Sequence, residues 1–414
     1  MPDKKSIVVL DVGTSKISCL IAQYNMETGI EIIGKGQSPS HGIKMGVVTD
    51  LEECAKSIEL AVIEAENSAG IQVHNVFAGI SGEHIATGTN LGKIEITNKS
   101  HKITQSDVDS VIRTAGGIEL PRDRQVIHVI PRGYRIDGYN GVTNPVGMCG
   151  TSLEVDAYLV TGINMYLQTI TSALEMTELT LEKDGYILST IAAGEVVLKK
   201  EEKELGILLL DMGAGTTKIA AYKSGNLISC RSLPIGGDKI TRDIALIFKI
   251  PLSEAEGLKI SKGAAYPELL SGDEESEVME AISFSESEAV NVQRKMLAEI
   301  IEARLVQIFE EIKLEIKNLN DQGIYLAGAI LTGGTARLKD INHLASNTLQ
   351  LRARVGKPAH IPGLNEWEGN PEFASVVGTL KMAAAKIKDQ GESNVKNPAL
   401  TVVSDIWEWI KQAC

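Results

Sequence analysis

The chain has 414 residues, a formal charge of −13 and only 4% aromatic residues. That length gives room for two or more domains with full cores. The acidic balance argues against a nucleic-acid binder held by phosphate contacts, and so few aromatics fit aliphatic α/β cores better than a stacking platform.

The N-terminus runs straight into an apolar strand, so no signal peptide is expected. No apolar run reaches the ~20 residues of a spanning helix. The five cysteines are scattered without metal-ligand spacing and are expected to be reduced thiols.

Residues 6–35 read as a strand meander, broken by the turn Asp11-Val12-Gly13-Thr14-Ser15-Lys16. Leu51 to Ser68 carries apolar residues at helical spacing, and Val73 to Ile80 is a strand. His84–Thr87 and Gly92–Ile96 look like two short strands. Thr104 then caps a helix, with Asp107 at the capping-box position. Val126–Ile136 and Val155–Val160 are strands around a loop rich in Gly, Asn and Pro, so residues 83–162 form a small α+β insertion. Leu167–Leu179 is a helix, Leu181–Ile187 a strand and Ser189–Lys199 a second helix.

The stretch from Leu208 to Ala220 organises the rest. Its strand ends in Asp211, followed by Gly213-Ala214-Gly215 and the hydroxyl pair Thr216-Thr217, then Lys218. It repeats the sentence around Asp11, which lies 211 − 11 = 200 positions earlier. A third glycine turn, Gly333-Gly334-Thr335-Ala336, follows a third apolar run. Glycine turns let a backbone approach phosphate and aim successive N–H groups at it. Asp11 and Asp211 repel phosphate but can support Mg²⁺, mostly through water. Two such turns in one chain point to two halves gripping one nucleotide.

Between them, residues 238–310 are strongly helical: Lys239–Phe248, a helix opened by Leu252 with Ser253 as cap, and a long amphipathic helix from Val290 to Leu319. The acidic loop Ser271–Ser276 is read as merely solvated. After a helix over Phe373–Lys386, residues 388–398 are polar and read as a flexible linker. Residues 399–414 turn apolar again at helical spacing, with Val403, Ile406, Trp407, Trp409 and Ile410 on one amphipathic stretch. Two tryptophans suit a bilayer interface. Asp405 and Glu408 outweigh Lys411, which weakens attraction to anionic lipid, and docking on the globular body stays open.

The three glycine turns resemble those of the actin-like ATPase superfamily. Within it, the insertion is similar to that of the FtsA family of bacterial cell-division proteins. The matching stretches are Ile103–Val108, His128–Pro131, Tyr134–Gly138, Asn144–Gly150 and Leu153-Glu154, with Gly236-Gly237 and Ala255–Lys259 further on. The resemblance implies an α/β, actin-like fold: two ribonuclease-H-like halves around a nucleotide cleft, with an FtsA-type inserted small α+β subdomain. It divides the chain into 1–82 and 163–204 (first half), 83–162 (insertion, self-assembly), 205–237 and 311–387 (second half), 238–310 (helical subdomain), 388–398 (linker) and 399–414 (membrane-targeting helix).

The same resemblance implies ATP with Mg²⁺ as ligands. Gly13, Thr14, Ser15, Gly213, Gly215, Thr216 and Thr217 would hold phosphates, with Lys16 near the terminal one unless it is a surface lysine at a strand edge. Glu256 and Lys259, three apart on one helix face, would meet ribose and adenine unless they form an ordinary surface ion pair. Gly236, Gly333, Gly334, Thr335 and Ala336 complete the adenosine side. Arg304 would meet the acidic C-terminal peptide of the ring protein FtsZ unless it is a plain helix-surface arginine. No triad or isolated general base stands out, so at most slow ATP hydrolysis is expected. The implied role is a filament-forming protein on the inner face of the cytoplasmic membrane that tethers the FtsZ ring and recruits later divisome proteins. A pilus-assembly platform, or a small-molecule kinase or phosphatase on the same fold, is the alternative.

Overall fold

Two five-stranded sheets repeat one plan. The computed structural model describes residues 5–25, 29–284 and 289–393. In the first half, β1 (Lys5–Val12), β2 (Lys16–Asn25) and β3 (Gly29–Pro39) form an antiparallel meander. A two-residue hairpin, β4 (Ile43–Lys44) with β5 (Val47–Val48), leads to α1 (Leu51–Ala69), capped by the Asp50 carboxylate on the Glu53 N–H. Strand β6 (Asn75–Ile80) returns parallel to β1. Ile7 to Leu10 are buried without alternation, as befits a central strand covered on both faces.

The insertion follows. It has β7 (Ala86–Glu95), α2 (Gln105–Gly116), β8 (Arg124–Ile136), β9 (Tyr139–Val142) and β10 (Ser152–Ile163), in sheet order β7-β10-β8-β9. Thr104 and Asp107 close the expected capping box on α2. The two short strands expected over 84–96 are one, because β7 pairs with β10 without a break from Ala86–Thr161 to Glu95–Ser152.

The first half resumes with α3 (Asn164–Glu175), β11 (Thr180–Leu188) and α4 (Ser189–Val197), giving the sheet order β11-β6-β1-β2-β3. A short α5 (Lys200–Leu205) precedes the second half. There β12 (Ile207–Met212), β13 (Thr217–Lys223) and β14 (Asn226–Leu233) repeat the antiparallel meander.

Helices α6 (Gly237–Phe248), α7 (Leu252–Lys262) and α8 (Gly272–Ser276), the hairpin β15 (Val278–Ile282) with β16 (Ala289–Gln293), and the long α9 (Arg294–Asp321) branch off. Strands β17 (Gly328–Thr332) and β18 (Arg352–Val355), joined through α10 (Ile341–Leu349), finish the sheet as β14-β13-β12-β17-β18. Both β6 beside β1 and β17 beside β12 are parallel, so the two sheets share one topology.

The last helix, α11 (Ala374–Ser393), packs with α4 between the halves. One core cluster accordingly runs from Ile7, Val9 and Leu20 of the first sheet through Ala192, Val377 and Leu380 to Leu209 and Ala220 of the second.

Several local expectations need correction. Ser253 is no cap: Pro251 holds the N-cap position, its ring fixing φ, and α7 begins at Leu252, two residues earlier than a Ser253 cap would place it, with the Ala255 N–H on the Pro251 carbonyl. The acidic loop is not merely solvated. Ser271 caps α8 with Glu274 in a capping box, and Glu274 pairs with Lys339 and Arg294. The long helix starts at Arg294 rather than Val290, because Ala289–Gln293 pairs as a strand. The final helix runs through 388–393, where a linker was expected to begin. The rest of that linker and the whole of 399–414, with Val403, Ile406, Trp407, Trp409 and Ile410, lie outside the described residues. Among the described residues, no helix is long and apolar enough to cross a membrane.

Candidate functional site

The two phosphate-type turns close in the same way. The Gly13 N–H donates to the Lys16 carbonyl (3.1 Å) and the Gly213 N–H to the Thr216 carbonyl (2.9 Å). They come from opposite halves and meet: a Cβ placed on Gly215 would lie 2.7 Å from Thr14 Oγ1 and 3.0 Å from Met45 Cα. The Gly46 N–H donates to Thr14 Oγ1 at 3.1 Å, tying the β4–β5 hairpin to the same turn. Ser15 is exposed at the tip. Thr216 is buried, and Thr217 turns away altogether, its hydroxyl donating to the Ile235 carbonyl (2.7 Å).

This pairing fixes a register that the sequence did not reveal. Lys16 corresponds to Thr216, and Ser18, facing Asp11 across the β1–β2 ladder, corresponds to Lys218, facing Asp211 across β12–β13. The hydroxyl pairs and the lysines expected to match in the two turns therefore occupy different places.

The third glycine turn locks against the second. Gly333 has φ 85°, which favours glycine, and a Cβ there would lie 2.6 Å from Asp211 Oδ1. Thr335 Oγ1 donates to the Gly213 carbonyl (3.0 Å), which also accepts the Gly237 N–H (3.0 Å). Gly236 is similarly confined, 2.5 Å from the Ala214 carbonyl for an added Cβ. Ala336 is buried, whereas Gly334 is exposed and faces open space.

Glu256 and Lys259 behave as one unit. Their ion pair is 2.6 Å long, and buried Lys259 also donates to Thr241 Oγ1 (2.8 Å) and the Gly237 carbonyl (3.3 Å). The pair thus braces the start of α6 beside the glycine turns and is more than a surface contact. Lys16 is no surface lysine either. It lies 3.1 Å from Glu372 and 4.1 Å from the Phe373 ring centroid. Burial lowers its pKa against the pull of Glu372. Burial would raise Glu372, but Lys16 and Arg337 together hold it below the usual carboxylate range.

At the floor, Asp11 accepts from Ser189 Oγ (2.9 Å), and the neighbouring Leu188 N–H donates to His128 Nε2 of the insertion (3.0 Å). Burial raises Asp11, with Lys218 opposing and Asp211 adding to the shift. Lys218 is largely withdrawn from water. Burial would lower it, yet Asp211 and then Asp11 outweigh that and leave its pKa above the ordinary lysine value. Glu372, Ser189, Ser375 and the role of Lys218 were missed from sequence. The placement of Ser189 at a helix start after a strand was the only available hint.

Direct coordination of Mg²⁺ by Asp211, as distinct from support through water, does not fit this arrangement. Asp211 Oδ2 already accepts from Lys218 Nζ (2.9 Å) and Ser375 Oγ (3.3 Å), and its other oxygen abuts Gly333. Among the described residues, no three His, Cys, Asp or Glu side chains gather as a metal site. Arg304, in the first half of α9, is held by Asp243 through two hydrogen bonds (2.6 and 2.9 Å).

Two sheets of one topology, enclosing paired glycine turns, define an actin-like fold. Solved structures agree: the PilM–PilN type IV pilus biogenesis complex matches with a TM-score of 0.64 at 17% identity, over 91% of this chain and 98% of that one. MreB5 of Spiroplasma citri bound to AMPPNP matches with a TM-score of 0.55 at 12% identity, over 95% of this chain and 100% of that one.

A family model for cell division protein FtsA matches residues 208–378, and one for the SHS2 domain inserted in FtsA matches residues 82–161. Cell division protein FtsA of Escherichia coli K12 is 33% identical, covering 99% of this chain and 97% of that protein. The Bacillus subtilis protein of the same name is 32% identical over 94% of this chain and 86% of its own. The chain belongs to the FtsA family of cell-division proteins.

Proposed function

We propose that the chain binds ATP between its two halves, assembles into filaments through the insertion, and tethers the FtsZ ring to the inner face of the cytoplasmic membrane through residues 399–414. Recruitment of later divisome proteins is part of the same reading. The observation that carries it is the near end-to-end likeness to FtsA proteins, combined with a cleft in which Gly13, Gly215, Gly236 and Gly333 leave no room for a side chain.

In that cleft, Gly13, Thr14, Ser15, Gly213, Gly215 and Thr216 would surround phosphates, and Lys16 would lend positive charge. Gly333 to Ala336 would take adenosine, the Glu256–Lys259 pair supporting that side. Turnover needs no dedicated base in this role, because ATP would govern assembly. Arg304 and its helical subdomain would receive the acidic FtsZ peptide. The domain limits drawn from the sequence stand as part of this proposal.

The deciding experiment is vesicle co-sedimentation, with and without ATP, of the full chain and of a truncation after Asn397. Binding that the truncation loses, and that ATP increases, supports anchoring and assembly together. Equal absence of binding in both removes the anchor and with it the division-ring role.

A further inference from the structure

We infer that Lys218 serves as a built-in cation at the phosphate end of the cleft, so that this chain binds nucleotide without needing a divalent ion. The inference rests on the reading of the cleft as an ATP site.

The position is built, not incidental. Lys218 is the direct cross-strand partner of Asp211. Its ammonium lies 2.9 Å from Asp211 Oδ2, and both side chains are largely withdrawn from water, at 12% and 3% exposure. It also attracts Asp11 from the opposite half, so one positive charge serves the aspartates of both turns. A Cβ on Gly213 would lie 3.8 Å from this nitrogen, so the ammonium sits directly beneath the second phosphate turn. It also borders a small cavity shared with Ser81, Thr190, Arg231 and Ser232.

Two neighbouring carboxylates and an incoming phosphate chain repel one another, and a divalent ion is one remedy for that repulsion. A lysine ammonium is another. It is a compact point charge with three donors, and among the described residues one hydrogen bond from it, to Asp211, is found. The remaining two donors can turn toward Asp11 and the phosphates. In the first turn the equivalent position holds Ser18, which brings no charge. At this register position the charge therefore comes from the second half, and Lys16 of the first turn adds only a weaker pull on Asp11. Because Asp211 is already paired on one oxygen and packed against Gly333 on the other, a metal would have to displace Lys218 to coordinate Asp211 directly.

The test is calorimetric titration of the full chain with ATP and with ADP, in excess Mg²⁺ and in excess EDTA. The expected result is a Kd that changes by less than about threefold between the two buffers, under ~0.7 kcal/mol. Lys218→Ser, which copies the residue at the equivalent place in the first turn, is expected to lose roughly tenfold or more in EDTA and to regain binding in Mg²⁺. Its melting temperature without nucleotide should also rise on adding Mg²⁺, while that of the wild type should not. Lys218→Arg, which keeps the charge, should retain binding in EDTA.

Wild-type binding that collapses in EDTA overturns the inference and leaves the ATP site intact. No binding in either buffer overturns the ATP site itself. Should Lys218→Ser fail to fold, the wild-type comparison decides alone.

Discussion

Lys16 and Glu372 stand 3.1 Å apart, at the first phosphate turn and at the approach to the last helix, and Glu372 shares its carboxylate with Arg337 at the third turn, 2.9 Å away. One anion thus clasps cations from two of the three glycine turns. Glu372→Gln leaves Lys16 partly buried without its countercharge. The variant should lose about 1–3 kcal/mol of stability, between the values for exposed and buried pairs. ATP should then raise its melting temperature more than that of the wild type, since phosphate replaces the missing charge. Equal ATP-induced shifts would show that Lys16 does not reach the ligand.

The glycines sort into those that hold the cleft and those that face it. Gly236→Ala drives a methyl to 2.5 Å from the Ala214 carbonyl and should destabilise the fold by ~1–3 kcal/mol. Gly334→Ala meets nothing within 4 Å and should melt like the wild type. If adenosine rests over Gly334, that same variant should nonetheless bind ATP several-fold more weakly. Unchanged affinity would move the adenosine elsewhere.

Acid should loosen the protein through two buried histidines. Burial, with Arg124 beside it, lowers His84 to about 4, and burial with Lys386 nearby lowers His128 to about 3. Both stay neutral in the fold but take up a proton near pH ~6.5 when unfolded. The unfolded chain therefore binds more protons throughout that window. Stability should be complete above pH ~6.5 and fall as pH drops toward 4, by up to about 1.4 kcal/mol per pH unit for each histidine. Melting curves from pH 7.5 to 5 read this directly. His128→Gln, which can still accept the Leu188 N–H, should flatten the decline, and an unaltered slope would exonerate His128.

Arg304 offers its guanidinium to Asp243 before any peptide arrives. Under the proposed FtsZ contact, Asp243→Asn should free it and tighten binding of the acidic peptide about three- to tenfold, or ~0.6–1.4 kcal/mol, while Arg304→Ala should weaken it. Fluorescence anisotropy with a labelled peptide measures both. If neither change matters, Arg304 only joins α9 to α6.

The duplicated plan could be read from sequence because each half writes the same short sentence: apolar run, aspartate, glycine. The Thr104–Asp107 capping box was equally plain, since both partners lie within one turn of chain. The face shared by Glu256 and Lys259 followed from their spacing of three.

What escaped depended on register or on distance. Spelling alone aligned Lys16 with Lys218, but counting from the glycines puts Lys16 with Thr216. The hydroxyl of Thr217 looked free until β13 paired with β14 and turned it inward. Glu372 and Ser375 lie more than 150 positions from the aspartate and lysine they meet, beyond any local pattern.

Leu188 and Ser189 are consecutive, yet one grips the insertion and the other the floor of the cleft. The inserted subdomain is therefore not a detachable cassette. Excising it would strip the partner from the Leu188 N–H at the very residue that precedes the support of Asp11. A chimera carrying a foreign insertion would inherit the same defect unless its second strand also presented an acceptor at the place of His128. Grafting experiments on this chain should keep that strand and exchange only the outer faces.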